Sequence, residues 1–182
     1  MRYSNATLET VSPKIRELLK VNAEVIEVKD KDTDYLKKKL IIKKGLFMYG
    51  ITGSGKTYTL YAINKNLRAK HVKTSGIENW VELLTEVKDR LAEKLSIKYT
   101  IDNITSSDCV FLDDVGAEKS TEWVQEIFYL IIDRCYRNEK TLFISTNLSL
   151  EDFTARYGER LLSRISEMCE VYQMENEDKR LN

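Results

Sequence analysis

Along the chain, short continuous apolar runs alternate with longer stretches of helical period. Leu46-Phe47-Met48-Tyr49, Cys109-Val110-Phe111-Leu112, Thr141-Leu142-Phe143-Ile144-Ser145 and Val171-Tyr172-Gln173-Met174 have the length and continuity of strands covered on both faces. Leu60, Ile63 and Leu67 recur at helical spacing after the first run. Ile77, Trp80, Val81, Leu84, Val87 and Leu91 mark one face of a long helix, with Trp80 in its core stripe. His71-Val72-Lys73-Thr74 before it is short and weakly strand-like, and Ser75-Gly76 reads as a break. From Thr121 a helix carries Trp123, Ile127 and Leu130 on one stripe and Val124, Phe128, Ile131 and Cys135 on the next. So wide an apolar surface predicts packing on a sheet with further cover. Ser149 is placed to cap a short helix, Gly158 interrupts, and Glu159 to Met168 is helical again. Residues 1–44 read as an N-terminal segment of the same domain: Ser12-Pro13 opens one helix, and a second, short and basic, is predicted from Asp34 to Leu40. Strands alternating with helices predict an α/β fold, a parallel sheet with helices on both faces and right-handed crossovers. In such sheets ligands bind beyond the carboxyl ends of the strands.

That end of the first strand carries Gly50-Ile51-Thr52-Gly53-Ser54-Gly55-Lys56-Thr57, which fits G-x-x-x-x-G-K-[ST] at every fixed position. Strand before and helix after are the context that separates a phosphate-binding loop from a chance match. Gly50, Gly53 and Gly55 let the backbone bend so that successive N–H groups, those of Thr52 and Ser54 included, point at phosphate, and the helix N-terminus adds partial positive charge. Lys56 would reach the β- and γ-phosphates of a nucleoside triphosphate, and the Thr57 hydroxyl would sit on Mg²⁺.

The run at Cys109–Leu112 ends in Asp113-Asp114. Two acids at a strand end are a weak signal alone, because turns are rich in Asp; downstream of a phosphate loop they are what Mg-nucleotide hydrolysis needs next. Asp113 would hold Mg²⁺ through its water shell, and Asp114 would orient and polarise the attacking water. Asn147, just past the next strand, is either a γ-phosphate and water contact or a turn-forming residue.

Composition adds limits. At 182 residues the chain is read as one domain, 1–182, and 32% charged residues suit a highly solvated surface. Its formal net charge of zero hides an asymmetry: residues 1–76 carry 16 Lys+Arg against 7 Asp+Glu, and residues 77–182 carry 13 against 22. Chance clustering around a phosphate site explains this, as does a complementary face on a neighbouring copy. Lys37, Lys38, Lys39, Lys43 and Lys44 are read as a solvated helix face or as a contact for nucleic-acid backbone. Cys109, Cys135 and Cys169 are far apart in apolar segments, the setting of reduced core residues, and His71 is the only histidine, so a zinc site is not expected. No apolar run is long enough to span a bilayer, and a cytoplasmic location is expected.

Taken together, these segments resemble a family. Asp113-Asp114-Val115-Gly116-Ala117-Glu118-Lys119 followed by Thr121-Glu122-Trp123 is similar to the Walker B region of the DnaC/DnaI-type helicase loaders and the IstB-type transposition ATPases, both of the AAA+ class. Ser145-Thr146-Asn147-Leu148-Ser149 resembles their sensor 1 segment, and Gly158-Glu159-Arg160 with Ser163-Arg164 resembles their arginine-finger segment. Tyr3-Ser4-Asn5-Ala6-Thr7 is similar to the opening of their ATPase domain. The resemblance implies a P-loop NTPase of the AAA+/ASCE type, a three-layer αβα sandwich with sheet order 5-1-4-3-2. It further implies ATP with Mg²⁺ bound between copies of an ATP-dependent homo-oligomer, hydrolysis that is slow and stimulated by a partner or DNA, and a replicative helicase or single-stranded DNA as partner. Lys56, Thr57, Asp113, Asp114 and Asn147 inherit the roles argued from chemistry, and Arg160 and Arg164 become catalytic candidates acting on a neighbour's phosphate. Three departures stand out: Asp114 occupies the place AAA+ proteins usually give to Glu, no helical lid is expected after Met174, and the loaders' additional N-terminal domain is not expected ahead of Tyr3. A P-loop small-molecule kinase is the alternative enzyme, and a non-hydrolysing ATP-bound adaptor the alternative outside catalysis.

Overall fold

The computed structural model describes residues 3–29 and 36–174. A 3₁₀ turn at Leu8–Thr10 leads into α1 (Pro13–Val21), whose first residue is the proline that has no N–H to lose there. An antiparallel hairpin follows, β1 (Ala23–Lys29) and β2 (Leu36–Ile42). The chain then runs β3 (Gly45–Tyr49), α2 (Lys56–Ala69), β4 (Thr74–Asn79), α3 (Trp80–Ala92), α4 (Lys98–Thr105), β5 (Cys109–Val115), α5 (Glu122–Arg137), β6 (Thr141–Thr146), α6 (Leu150–Tyr157), α7 (Glu159–Met168) and β7 (Cys169–Gln173). β3 to β7 form one sheet in the order β4-β5-β6-β3-β7, every neighbouring pair parallel. Counting β3 as the sheet's first strand, this is 5-1-4-3-2 read from the β7 edge, the expected order.

Alternation along each strand divides the core into two layers. Phe47, Val110, Leu112, Leu142 and Ile144 face Trp80, Phe128, Phe153, Leu161 and Ile165 of α3, α5, α6 and α7. Leu46, Met48, Phe111 and Phe143 face Ile15, Leu60, Ile63 and Leu67 of α1 and α2. Phe111 and Phe143 stack across adjacent strands with centroids 4.6 Å apart. The predicted three layers are therefore present, and Trp80 is core as expected. The three cysteines are free and buried, and burial pushes the Cys109 and Cys135 thiols up to about 12. Among the described residues no helix is long and apolar enough to cross a membrane.

Four local expectations are overturned. The predicted helix from Asp34 to Leu40 is strand β2 from Leu36 onward, paired with β1, and Asp34 and Tyr35 lie outside the described residues. The lysines there consequently do not share a helix face. Lys39 faces Asp108 at 2.8 Å, Lys43 faces Glu24 at 2.7 Å and Lys44 faces Glu170 at 3.9 Å. Ser75-Gly76 does not break the chain: it lies inside β4 at a register shift. There the Ser75 hydroxyl accepts from Phe111 N at 3.0 Å and the Ser75 carbonyl accepts from the Asn64 amide at 3.0 Å, replacing ladder bonds lost at the bulge. Ile77 accordingly belongs to the strand, and α3 starts at Trp80, capped by Asn79, whose side chain accepts from the N–H groups of Val81 and Glu82. Helix α4 was not foreseen. On α5, Leu130 is 46% exposed, so only the second predicted stripe is fully buried.

Gly45 begins β3 where the chain passes closest to β6. A Cβ there would lie 1.7 Å from the Leu142 carbonyl oxygen, a backbone atom that no rotamer change can move. Gly45→Ala should cost more than the ~1–3 kcal/mol of ordinary overpacking. Urea unfolding measures it, and an unchanged midpoint would mean that β3 and β6 are not this close.

Candidate nucleotide-binding and hydrolysis site

The carboxyl ends of β3, β5 and β6 meet the start of α2. Gly55, the residue before α2, has φ 92°, a left-handed conformation that suits glycine and lets the loop turn directly into the helix. Lys56 is 5% exposed, and its ammonium donates to the carbonyls of Gly50 (2.8 Å) and Ile51 (2.7 Å) and to Ser54 Oγ (3.3 Å). A buried cation spanning its own loop is positioned to exchange carbonyl oxygens for phosphate oxygens. Ser54, fully buried, donates to the Ile51 carbonyl at 2.9 Å and so shapes the loop from beneath.

Asp113 lies buried within β5 and accepts from Thr57 Oγ1 at 3.1 Å and from the Ser145 hydroxyl. Its carboxyl is pushed up chiefly by burial and also by the neighbouring Asp114 charge, against the lowering hydrogen bonds of Ser145 and Thr57. A carboxylate so placed favours a cation. The Thr57 hydroxyl and Asp113 are hard oxygen donors side by side, which fits Mg²⁺ completed by water and phosphate oxygens.

Asp114 follows in a different conformation. The ladder between β5 and β6 shifts register between Leu112 and Val115, and Asp114 takes φ 57°. A left-handed Asp costs on the order of 1–3 kcal/mol, and here the turn delivers its carboxylate to the cavity wall. Its N–H donates to Ser145 Oγ at 3.1 Å, and its Oδ1 accepts from the Asn147 amide at 3.0 Å. Asn147 is thus in the site, with the carboxylate of Asp114 as its partner.

These groups open on a cavity of about 400 Å³, within the ~300–1,000 Å³ typical of small-molecule sites. Its lining divides by chemistry. Thr52, Gly53, Gly55, Lys56, Thr57, Asp114 and Asn147 form a polar end, while Tyr3, Val11, Tyr58 and Met174 supply apolar and aromatic surface suited to a base. The N-terminal segment is fixed as a wall by Thr10 Oγ1, 2.7 Å from Tyr58 OH, and by Tyr58 OH donating to the Asn5 carbonyl at 3.3 Å. Gly50 is set back from the cavity lining, where a Cβ would meet the Met174 backbone at 3.3 Å.

Sequence reasoning missed Ser145 as the group joining both acids. The available signal was a serine ending an apolar strand, which must find a partner once buried. It missed Tyr58 and Met174, whose apolar character gave no cue. Glu118, within the segment that resembles a Walker B region, is not at the cavity: its carboxylate is 7% exposed and held by Tyr157, Arg156 and Gly116. Arg160 and Arg164 are not brought to the chain's own cavity. Both lie on α7: Arg160 is exposed with no ion pair among the described residues. Arg164 donates to Asp133 at 2.7 Å and packs over Tyr129 and Tyr136.

A parallel sheet in this order, with a phosphate loop after one strand and paired acids ending another, defines a P-loop NTPase of the AAA+ class. More narrowly, residues 22–170 match the bacterial DnaA ATPase domain, and the chain belongs to that family. Among curated proteins it is 30% identical over 145 residues to the phage-like element PBSX protein XkdC of Bacillus subtilis, covering 76% of this chain and 53% of that protein. It is 28% identical over 150 residues to the replicative helicase loader DnaI of the same organism, covering 75% and 48%. The chain thus spans about half the length of the curated relatives it matches. Among solved structures, the DnaC helicase loader superposes with a TM-score of 0.73 at 26% identity, over 96% of this chain and 99% of that one.

Lys56→Ala should abolish tight MgATP binding, since the ammonium is the loop's own cation, and should leave the circular dichroism of the fold unchanged. Nucleotide titration decides it, and near-normal affinity would remove the loop from phosphate binding. Asp114→Asn should keep MgATP affinity and lose turnover by ~10²-fold or more, because an amide is a poor proton acceptor. Phosphate release at the parental rate would move that role elsewhere.

Proposed function

We propose that the chain is an ATP-hydrolysing switch of DNA replication, a helicase-loader-like ATPase whose active unit forms between copies. The observation that carries this is the continuous chain of contacts Thr57–Asp113–Ser145–Asp114–Asn147, which ties the phosphate loop to both acids at one cavity. In this reading the triphosphate lies along the loop N–H groups, and Lys56 turns from the Gly50 and Ile51 carbonyls to the β- and γ-phosphates. Thr57 and Asp113 would hold Mg²⁺, which would neutralise charge on the phosphates when bound. Asp114 accepts a hydrogen bond from the attacking water and aligns it with the γ-phosphorus. Asn147 fixes one Asp114 oxygen and leaves the other for that water. The water oxygen bonds to the γ-phosphorus as the bond from that phosphorus to the bridging oxygen breaks, ADP leaves with the electron pair, and the water's proton passes by way of Asp114 to the released phosphate.

The arginines of α7 belong to a neighbour's site in this reading, since neither reaches the chain's own cavity. A guanidinium fork matches γ-phosphate oxygens and stabilises charge as it develops. Such a contact joins two different faces, so it builds a ring or a filament. A replicative helicase or single-stranded DNA is the partner the reading assigns. Its support is the family and the two relatives that are themselves helicase loaders.

Arg164→Ala should bind MgATP nearly normally and hydrolyse it ~10²-fold or more slowly. Mixing should then restore activity: Arg164→Ala supplies an intact pocket, and Lys56→Ala supplies an intact arginine face. Arg160→Ala, measured alongside, tests the second arginine without disturbing an intrachain ion pair. If the mixtures stay as inactive as their parts while the unmutated protein hydrolyses ATP and assembles, the arginines do not act across an interface.

A further inference from the structure

The loop after β5 is fastened to the last turn of α6 by a buried charged cluster that the reaction described above does not use. Glu118 Oε2 accepts from Gly116 N at 3.0 Å, and Glu118 Oε1 accepts from Tyr157 OH at 2.6 Å. From the same turn, Arg156 Nη1 donates to the Gly116 carbonyl at 2.5 Å and to the Glu118 carbonyl at 3.2 Å, with Glu118 Oε1 3.8 Å away. Gln125 of α5 donates to the Arg156 carbonyl at 2.7 Å. A carboxylate this buried must be paired, and both of its oxygens are. Burial and the Glu118 carboxylate together hold the Tyr157 hydroxyl well above its ordinary range, so it stays a donor.

The cluster's position matters more than its strength. On one side it grips Gly116, two residues beyond Asp114. That glycine has φ 93°, a conformation side chains rarely adopt, and an added Cβ would lie 2.5 Å from Leu148 Cδ1, in the residue next to Asn147. On the other side it ends at Tyr157. The next residue is Gly158, at φ 87° with open space around it, and α7 with Arg160 and Arg164 starts immediately after. The Tyr157 ring is anchored separately, with centroids 4.6 Å from Phe128 and 4.8 Å from Phe153.

We propose that Glu118, Arg156 and Tyr157 are positioning residues that link the Asp114 loop of one copy's nucleotide site to the α7 arginines it presents to the next copy. This rests on the interfacial reading above. Through the clamp, the Asp114 loop of a chain fixes the placement of the arginines that the same chain offers to its neighbour, with Gly158 as the pivot. Tyr157 does not line the cavity, and loss of its hydroxyl leaves the Gly116 N–H bond to Glu118 in place, so the change acts on what the chain presents.

The test places Tyr157→Phe on either member of the complementing pair. The phenyl ring keeps its packing on Phe128 and Phe153, and only the hydrogen bond to Glu118 is lost. On the Lys56→Ala chain, which donates the arginines, the added change should lower restored turnover about tenfold. On the Arg164→Ala chain, which donates the pocket, it should leave restored turnover within about twofold and MgATP affinity unchanged. Equal losses from both placements, or none from either, overturn the link while leaving the interfacial reading intact. Absence of any restoration by Lys56→Ala with Arg164→Ala removes the interfacial reading, and the link falls with it.

Discussion

Everything at the site depends on one buried carboxylate. Asp113 sits inside a strand, among apolar neighbours, where an ionised group is expensive unless it is satisfied. Thr57 and Ser145 satisfy it from two directions, one from the first turn of α2 and one from the end of β6. Those two bonds therefore fix the distance between the phosphate loop and the acids. Ser145 is then shared: the hydroxyl that donates to Asp113 also accepts from Asp114 N. Asp113 is left with little freedom, a hard oxygen donor beside Thr57, while Asp114, one residue on and in a left-handed turn, is the group turned to the cavity. Two adjacent aspartates differ in burial, backbone conformation and partners, which is how the same residue type can hold two roles.

The central strands β3, β5 and β6 were legible from the sequence because they are covered on both faces and so read as unbroken apolar runs. The helices on it were legible because each buries one stripe. The failures share a cause as well. Strand β2 reads Leu-Lys-Lys-Lys-Leu-Ile-Ile, a block of lysines and then a block of apolar residues with no period of two, and β1 leaves Val25 62% exposed, so neither strand of the hairpin carries the alternation that marks a half-buried strand. Ser75-Gly76 looked like a terminator because the bonds that keep it in the sheet come from the Phe111 N–H and the Asn64 side chain, far away in sequence. Helix α4, Lys-Tyr-Thr-Ile-Asp-Asn-Ile-Thr, is eight residues of low propensity held by tertiary packing of Ile101 and Ile104. In the site, the motif residues were legible and Ser145, which joins the two acids, was not, nor was the part Glu118 plays outside it. Their roles arise from partners about 30 to 40 residues away.

The two arginines of α7 were equivalent by spacing and are not equivalent in the fold. Arg164 is tied to Asp133, which also pairs with Arg137 at 2.8 Å, and is stacked against two tyrosines. That arrangement holds the guanidinium plane and limits its reach. Arg160, one turn nearer the helix start, carries its charge into solvent. An arginine fixed in advance loses less freedom when it meets phosphate, whereas an exposed one must be ordered at that moment. Preorganisation thus favours Arg164 as the group that contacts charge, provided the neighbouring copy's phosphate competes with Asp133, and leaves Arg160 as the freely accessible cation beside it.

The separation of charge along the sequence, basic before residue 76 and acidic after, takes a different meaning once folded. The parallel order places β3, from the basic half, between β6 and β7 of the acidic half. First-half lysines consequently meet second-half acids within the chain, as Lys39 meets Asp108 and Lys44 meets Glu170. These exposed pairs contribute little stability individually. At the nucleotide site a buried lysine and the N-terminus of α2 stand beside two carboxylates. Attraction for an anionic ligand is therefore built by placing a few groups where water is scarce, and the sequence-wide asymmetry is not needed for it.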